Sequence, residues 1–479
     1  MSRELSLRTA PLLRIWVNPV SAATAEHAVT SAAPTSAAPP DHPVVVREEQ
    51  TAARRVRSWP RSLAALEVRD YRLYLTSQVV ATTGLWMQRI AQDWLVLELT
   101  GSVTAVGVAV ALQFLPMLLF GLFGGVVADR FPKRSILVVT QTSAAAVATT
   151  LGVLALTGTV QAWHVFALAF ALGMVTVVDN PTRQVFVSEL VGPKHIRNAV
   201  SLNSSVFQLG ALVGPAVSGV LIHAVGQGWS FLINAVACLG VVTMVLIIRP
   251  QPGLAPERSR GGGGELRAAL HYIGRTSEVA WSIVLAATIG LFGLNMPVIL
   301  AAFADHVFTA GVGGYSLFNS LSAVGALAGA VVSARRVSAP RIRTLTSTLV
   351  MLGLTVMVAA LAPSIWLFGL ALVAIGFCTL MFLTGANSLV QTTTTPALRG
   401  RVMGVYLLVL LGGQALGGPA VGWLIDHYGT RPSMFGCGTL VALVSIGVGL
   451  MIARRAHLTV ELELHGGARF PLHIVHAHR

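Results

Sequence analysis

The chain has 479 residues, of which 54% are hydrophobic and 11% are charged, and its mean hydropathy is +0.72. A soluble domain carries roughly 25% charged residues, so this composition excludes an ordinary soluble protein and indicates a membrane protein. The net charge of +14 could suggest a nucleic-acid partner. The basic residues, however, fall in alternate loops between apolar runs, so we attribute the charge to membrane topology and expect no nucleic-acid partner.

The first predicted segment is a tail, residues 1–65, rich in Ala, Pro, Thr and Ser. It holds too few large apolar residues to build a core, so we expect a disordered cytoplasmic tail. Its opening stretch "MSRELSLRTAPLLRIW" lacks a proper apolar h-region, so we expect no signal peptide.

Twelve apolar runs follow the tail, and each is long enough to cross about 30 Å of hydrocarbon as a helix. Arg and Lys gather in the loops on one side, which places both termini in the cytoplasm by the positive-inside rule. The sequence therefore predicts an all-α membrane protein with twelve transmembrane helices, numbered here as spans. The predicted spans are 72–99, 104–128, 135–157, 163–187, 200–223, 230–249, 280–304, 314–334, 343–362, 366–390, 402–425 and 432–453.

Span one carries charges well inside the membrane: Arg89 and Asp93 are four residues apart, with Gln88 and Gln92 beside them. Each buried charge costs about 2.5–3.5 kcal/mol at a helix centre, so these side chains cannot face lipid cheaply. They fall in one arc of the helix, where Arg89 and Asp93 can form an ion pair. Two interpretations stay open. In the first, Asp93 carries a proton and Arg89 is the partner that tunes its affinity for that proton. In the second, the two side chains form a static structural ion pair.

The end of span two turns abruptly basic in the stretch "GGVVADRFPKRS". Two glycines four residues apart let helices approach closely, an acid follows at the membrane interface, and basic residues hold the loop on the cytoplasmic side. The alternative is an ordinary basic loop that obeys the positive-inside rule. The residues of this loop motif are Gly121, Gly125, Asp129, Arg130, Lys133 and Arg134.

Span four repeats the charge arrangement of span one. Asp179 and Arg183 are again four residues apart, next to the helix-breaking Pro181. A role in gating or coupling and a simple snorkelling of Arg183 to the interface are both consistent with this position near the cytoplasmic end.

Span five contains the stretch "GALVGPAVSG", with small residues at Gly210, Gly214 and Gly219. Small residues four apart permit flush helix packing. Pro215 removes one backbone hydrogen bond and is expected to bend the helix. Generic packing of a glycine-rich membrane helix is the alternative meaning of this stretch.

A Pro-, Gly- and charge-rich stretch, "RPQPGLAPERSRGGGGELR", predicts a cytoplasmic linker over 250–279. It separates two bundles of six helices, 66–249 and 280–454. Its last part could form a short amphipathic helix on the membrane surface or a solvated connector.

The two bundles show weak internal similarity. Gly214 and Pro215 recur as Gly418 and Pro419, 204 residues later, and the glycine pair at the end of span two recurs in span eight at the same offset. A repeat of six plus six helices with a site near the midplane is typical of secondary transporters.

Span seven is interrupted by Asn295 and Pro297, where a discontinuous helix could expose backbone groups to a cavity. Three further ionisable residues, His223, Asp305 and Asp426, lie at the ends of spans, and we expect them near the loops.

We expect no metal and no cofactor. The cysteines, Cys238, Cys378 and Cys437, fall inside spans without the spacing of metal ligands. The histidines of the predicted cytoplasmic tail, 455–479, are irregularly spaced, which favours a solvated tail over a metal site.

The loop motif after span two resembles the signature G-x-x-x-D-[RK]-x-G-[RK]-[RK] of the major facilitator superfamily, with Pro132 in place of the second glycine. The span-five stretch resembles a second signature, G-x-x-x-G-P-x-x-x-G, which is associated with exporters that work by exchange. The stretches "RDYRLYLTSQ" and "NPTRQVFVSELVG" look like those of bacterial siderophore and multidrug exporters. The resemblance covers residues 60–455 and implies the major facilitator fold, in which the loop motif latches the two halves in one conformation.

The resemblance also implies a function: an inner-membrane secondary transporter that exports small lipophilic or amphipathic compounds in exchange for protons. The proton gradient would be the energy source, since the lysines, Lys133 and Lys194, both follow proline and no Walker-type ATP-binding loop exists. We expect a monomer. The alternatives are an importer of a small metabolite, a non-transporting scaffold and a membrane-embedded enzyme; the histidines lie at helix ends and tails, which disfavours the enzyme.

Overall fold

The computed structural model describes residues 61–248, 265–335, 340–396, 398–455, 458–462 and 472–476, all within the compact unit Ser58–Arg479. Most of the predicted N-terminal tail, the first part of the predicted linker and most of the C-terminal tail lie outside the described residues.

The first half begins with a short 3₁₀ helix, Arg61–Glu67, and continues as long helices with short connections. Their apolar stretches and the turn residues between them match the predicted spans one to six to within a few residues. The bounds are α1 Arg69–Thr100, α2 Val103–Arg130, α3 Lys133–Leu156, α4 Ala162–Val225 and α5 Gln227–Ile247.

Helix α4 contains both span four and span five. Its 64 residues would extend about 96 Å at 1.5 Å per residue, about three times the thickness of a hydrocarbon core. The helix is broken at Gly192, where φ is +67°, and Pro193 has no backbone N–H to continue it. We therefore treat α4 as a first limb, 162–191, and a second limb, 193–225.

The second half has the same organisation, preceded by the short helix α6 from the end of the predicted linker. The hydroxyl of Tyr272 on α6 donates a hydrogen bond of 2.9 Å to the carbonyl of Thr393, so this helix is tied to the end of α11. The bounds are α6 Glu265–Arg275, α7 Ser277–Thr288, α8 Met296–Ala302, α9 Gly311–Ala334, α10 Ile342–Ala360, α11 Ile365–Thr393, α12 Arg399–Tyr428 and α13 Thr430–Arg455.

Ten helical segments of the described chain are long and apolar enough to cross a membrane, with α7 and α8 counted as one segment. Helix α1 is not among them because its polar face lowers its hydropathy, although it has 32 residues. Since α4 consists of two limbs, the described residues contain twelve membrane-length segments, as the sequence predicts.

One element departs from the all-α expectation. In the predicted C-terminal tail, β1 (Leu458–Leu462) pairs antiparallel with β2 (Leu472–His476). A two-stranded ribbon of this size lies outside the helical bundle and leaves the fold class unchanged.

The two halves touch at one end of the bundle and diverge at the other. Gly107 of α2 lies against the backbone of Gly418 on α12, whereas Gly125 of α2 and Gly404 of α12 have no atom within 4 Å of a Cβ placed on them. Likewise, Gly219 of the second α4 limb lies against Ser316 of α9. We call the end of contact the closed end and the end that carries Asp129 the open end.

Glycines also fix the distance between helices inside each half. A Cβ on Gly325 of α9 would overlap the carbonyl of Val373 on α11, whereas a Cβ on Gly447 of α13 would meet open space. Without a side chain at Gly325, the two backbones approach closely, which is the usual device of packed membrane helices.

Gly325→Ala should therefore destabilise the protein by about 1–3 kcal/mol through overpacking. The matched change Gly447→Ala should leave stability unchanged or raise it slightly, because alanine favours a helix over glycine. Thermal unfolding of the two purified variants in detergent checks this, and equal melting temperatures would contradict the packing assignment.

Candidate functional site

The buried carboxylate of Asp93 joins the two halves of the protein. Its Oδ2 accepts a hydrogen bond of 2.9 Å from the hydroxyl of Tyr315, which lies on α9 in the second half. The ring of Tyr315 also stacks on Trp94, with centroids 6.1 Å apart. Asp93 is 4% exposed, and its Oδ1 has no hydrogen-bond partner in the described chain. Tyr315 was not a candidate from the sequence, because no pattern shows that two distant helices meet.

The expected ion pair between Arg89 and Asp93 is not formed. The guanidinium of Arg89 lies over the ring of Trp86, 5.0 Å from its centroid, and 5.8 Å from the centroid of Phe114 on α2. No carboxylate of the described residues lies within ion-pair distance of it. Helical spacing permits an i, i+4 pair but does not impose one, and here aromatic rings and Tyr315 take the two charges separately.

The two glutamines predicted beside these charges are both buried. Gln88 accepts a hydrogen bond of 2.6 Å from the amide of Asn234 on α5, so it contributes to packing inside the first half. Gln92 is 1% exposed, and its Nε2 has no acceptor among the described residues.

The charges of the first α4 limb form a complete network. Arg183 bonds Asp179 at 2.6 Å, and Thr140 and Gln141 of α3 donate to the other oxygen of Asp179 at 2.7 and 2.9 Å. Arg183 also donates to the side chain of Gln78 on α1. The network joins three helices of one half, so the arginine does not simply snorkel to the interface.

The loop motif makes its contacts within the first half. Asp129 is exposed and has no hydrogen-bond or ion-pair partner in the described chain. Arg130 is exposed, Lys133 donates to the carbonyl of Phe131 at 3.3 Å, and Arg134 donates to the carbonyl of Leu246 at the end of α5. A latch between the halves is therefore not closed in this conformation.

The motif glycines also differ from expectation. Gly121 and Gly125 contact no neighbouring helix, whereas Gly124 lies against the carbonyl of Val177 on the first α4 limb. The predicted close approach is made by the glycine between them, Gly124.

The span-five motif lies where three helices meet. Gly210 and Gly214 pack against Thr82 and Trp86 of α1, and Gly219 packs against Ser316 of α9. The motif therefore contacts both α1 and the second half.

Two hydroxyl groups fix these contacts beside the buried Pro215. Ser218 donates to the carbonyl of Met87 at 3.1 Å, and Ser320 of α9 donates to the carbonyl of Leu212 at 3.3 Å.

Asp426 has a role that the sequence did not indicate. At the end of α12 it accepts four hydrogen bonds from the start of α2: from the Ser102 hydroxyl at 2.7 Å, the Val103 amide at 3.0 Å, and the Thr104 amide and hydroxyl at 2.9 and 2.7 Å. A carboxylate at a helix N-terminus satisfies unpaired backbone N–H groups and complements the helix dipole. This contact, the Asp426 clasp, fastens the second half to the first at the closed end.

Span seven is discontinuous, as predicted at Asn295. π-helical turns flank α8, and Asn295 donates to the carbonyls of Gly290 and Leu291 at 3.1 and 2.9 Å. Asn295 therefore satisfies two carbonyls near the break, and Gln414 of α12 donates to a third, that of Leu294, at 3.3 Å. Asp305 is exposed beside His306.

No group of three or more potential metal ligands occurs among the residues that the structure describes. The three cysteines are free and buried. Of the tail histidines, His473 and His476 lie on β2, and the others fall in the part of the chain that the structure does not describe.

Two six-helix halves that meet at one end, with charged residues at the contact, have the architecture of a secondary transporter. Residues 61–475 match a family model described as transmembrane secretion effector, within the major facilitator superfamily. The chain belongs to this family, and it is a transporter rather than an enzyme.

The fold is similar to that of a bacterial homologue of the human lysosomal transporter Spinster in an inward-facing, unoccupied conformation. The TM-score is 0.64 at 15% identity, covering 80% of this chain and 96% of the other. In sequence, the chain is similar to the multidrug efflux pump Tap of Mycolicibacterium fortuitum, at 25% identity over 78% of this chain and 93% of Tap. It is also similar to the enterobactin exporter EntS of Citrobacter koseri, at 23% identity over 77% of this chain and 88% of EntS.

Asp179→Asn should destabilise the protein by about 3 kcal/mol, because it leaves Arg183 uncompensated in the bundle. Adding Arg183→Gln should recover most of that loss if the pair is structural. Thermal unfolding of the single and double variants in detergent decides this, and a double variant no more stable than the single one would contradict a structural role.

Asp426→Ala should weaken the closed end by on the order of 2 kcal/mol, which shifts the population of the closed end by about tenfold or more. The distance between spin labels at the exposed loop positions Thr159 and Leu361, one on each half, reports opening of the closed end. The labels are introduced in a background without the native cysteines. Asp305→Asn serves as the control, because it removes a carboxylate at the same end whose partner among the described residues is His306. An unchanged distance distribution in Asp426→Ala would rule out the clasp as a determinant of closure.

Proposed function

We propose that the protein exports small lipophilic or amphipathic compounds across the bacterial cytoplasmic membrane in exchange for protons, by alternating access. The observation that carries this proposal is the buried hydrogen bond between Asp93 of the first half and Tyr315 of the second. A titratable carboxylate located where the halves meet changes its surroundings whenever the halves move, and that dependence is what proton coupling requires.

The relatives support the direction and the kind of cargo. One is named as a multidrug efflux pump and another as an enterobactin exporter. The glycine–proline motif of the second α4 limb is consistent with an exporter, and its contacts with α1 and α9 lie beside the Asp93–Tyr315 bond.

Coupling follows from the difference between the two ends of the bundle. In the observed conformation Asp93 is enclosed and bonded to Tyr315. If the closed end opens, α9 moves away from α1 and Asp93 loses Tyr315 and meets water. Its affinity for a proton then differs between the two conformations, so proton binding biases one of them.

The loop motif would act in the opposite conformation. When the open end closes, Gly121 and Gly125 allow α2 to approach α12, and Asp129 and the neighbouring basic residues come within reach of the second half. The Asp426 clasp and the loop motif would then be alternately closed latches at opposite ends of the same two helices.

The orientation follows from the basic loops, which lie at the open end. By the positive-inside rule this end faces the cytoplasm, with both termini on the same side. The conformation described here is then open to the cytoplasm and able to receive a compound for export. We propose a monomer that needs neither ATP nor a cofactor.

Transport into proteoliposomes with an imposed proton gradient tests the proposal. A lipophilic substrate should accumulate against its gradient with accompanying proton flux, and Asp93→Asn should abolish the coupled accumulation while substrate binding persists. Asp305→Asn is the matched control, since it removes an exposed carboxylate. Asp129→Asn should slow turnover without changing the number of protons moved per substrate.

Two results would contradict the proposal. Transport without an accompanying proton flux would rule out exchange for protons. If Asp93→Asn left proton-coupled transport unchanged, another residue would carry the proton and Asp93 would be only a structural hydrogen-bond acceptor.

A further inference from the structure

We propose that Arg89 binds the anionic group of the transported compound, so that the protein prefers amphipathic anions to neutral compounds of the same shape. This inference rests on the proposed function as an exporter and specifies its substrate class. The binding group is the guanidinium of Arg89, held between Trp86 of α1 and Phe114 of α2.

Arg89 differs from the other arginine of the bundle interior. Arg183 bonds the carboxylate of Asp179, whereas Arg89 has no carboxylate, carbonyl or hydroxyl acceptor in the described chain. The nearest acid along the helix, Asp93, is engaged by Tyr315 instead. A charge inside a membrane is costly unless it meets a partner, so the lack of a protein acceptor points to a ligand.

The geometry around Arg89 favours an anion as that ligand. The guanidinium carbon lies 5.0 Å from the ring centroid of Trp86 and 5.8 Å from that of Phe114, within the range at which a cation is attracted to the ring quadrupole. Its five N–H donors project from the edges of the planar group and form a fork suited to a carboxylate or a sulfonate. The contacts with the rings use none of the hydrogen-bonding capacity of the group.

Neighbouring side chains also have buried hydrogen-bond donors that lack an acceptor. The Nε1 of Trp86 and the Nε2 of Gln92 are both buried, and neither has a hydrogen-bond acceptor among the described residues. Trp86 lies under Arg89, and Gln92 lies one turn further along the same side of α1. Asp93 Oδ1 is the one unpartnered acceptor recorded on this stretch of α1. An acceptor-rich ligand matches this arrangement better than a cation does.

The position of Arg89 also fits a substrate site. Asp93, one turn along α1, reaches the second half, and Phe114 lies on the face of α2 that carries Gly107, which contacts α12. Arg89 is therefore on the side of the first half that faces the second, and it is half-buried. Toward the open end the halves stay in contact at least as far as Leu118 with Gly412 and Leu212 with Ser320.

Apolar groups near Arg89 suit the body of an amphipathic compound. Phe207 of the second α4 limb packs edge-on against Trp86, with centroids 5.6 Å apart, and is 42% exposed. The ring centroid of Phe114 lies 5.8 Å from the guanidinium carbon. An aromatic anion could place its charge on Arg89 and its ring among these side chains.

Two fluorescent probes with the same ring system test the inference, 8-anilinonaphthalene-1-sulfonate and its neutral counterpart N-phenyl-1-naphthylamine. Equilibrium binding is measured on the full-length protein in phosphatidylcholine nanodiscs, with empty nanodiscs as the blank. The wild-type protein should bind the sulfonate at least about tenfold more tightly than the neutral probe, after correction for the blank, since a hydrogen-bonded charge supplies that difference.

Variants of Arg89 assign the preference to this side chain. Arg89→Gln should lower the affinity for the sulfonate about tenfold and leave the affinity for the neutral probe unchanged. Arg89→Lys should retain part of the preference, because it keeps the charge and loses the planar fork. Arg72→Gln is the matched control, since it removes the same charge from an exposed position on the same helix.

Equal binding of the two probes by the wild-type protein, or an equal loss of both in Arg89→Gln, would overturn the inference. So would a loss of sulfonate binding when phosphatidylglycerol is added, because the bound anion would then be a lipid headgroup rather than a solute. Proton flux measured in parallel separates this outcome from failure of the proposed function: a proton-coupled exporter without anion preference refutes only the role of Arg89.

Discussion

A charge placed inside a membrane must find a partner, and this requirement governs how the helices of this protein meet. Asp179 is compensated within the first half by Arg183 and by two side chains of α3. Asp93 instead accepts one hydrogen bond across the boundary between the halves, from Tyr315, and the exposed Asp426 at the end of α12 accepts its hydrogen bonds from the start of α2. The first arrangement stabilises one bundle, and the other two make the contact between bundles depend on polar groups that can be exchanged for water.

Close packing complements these polar contacts. Gly107 and Gly418 bring α2 and α12 together at the closed end, and Gly219 does the same for α4 and α9. An interface of small residues carries little side-chain interdigitation at these crossings, although buried apolar side chains of both halves pack in one core elsewhere. Gly124 and Gly325 set the helix spacing inside each half in the same way.

Arg89 differs because it has no hydrogen-bonding partner among the described residues, although the charge of Asp93 lies one turn away. Its guanidinium lies near the rings of Trp86 and Phe114, and its N–H donors meet no acceptor in the described chain. A site whose hydrogen-bond donors lack acceptors is suited to a ligand that supplies those acceptors. Arg183 has a carboxylate partner and Arg89 has none in the described chain, and this difference is the basis of the substrate class that we propose.

The sequence by itself determined the membrane class, the twelve segments and the division into halves, because hydrophobic length and loop charge are local properties. It also identified Arg89, Asp93, Asp179 and Arg183 as costly residues that need partners. The tertiary structure decided which partners they have. Helical spacing allowed Arg89 to pair with Asp93, but contacts from α2 and α9 satisfied the two separately, and neither Tyr315 nor Asp426 belonged to a motif. Partners on distant helices are set by how the helices pack, and no local pattern of residues records that geometry.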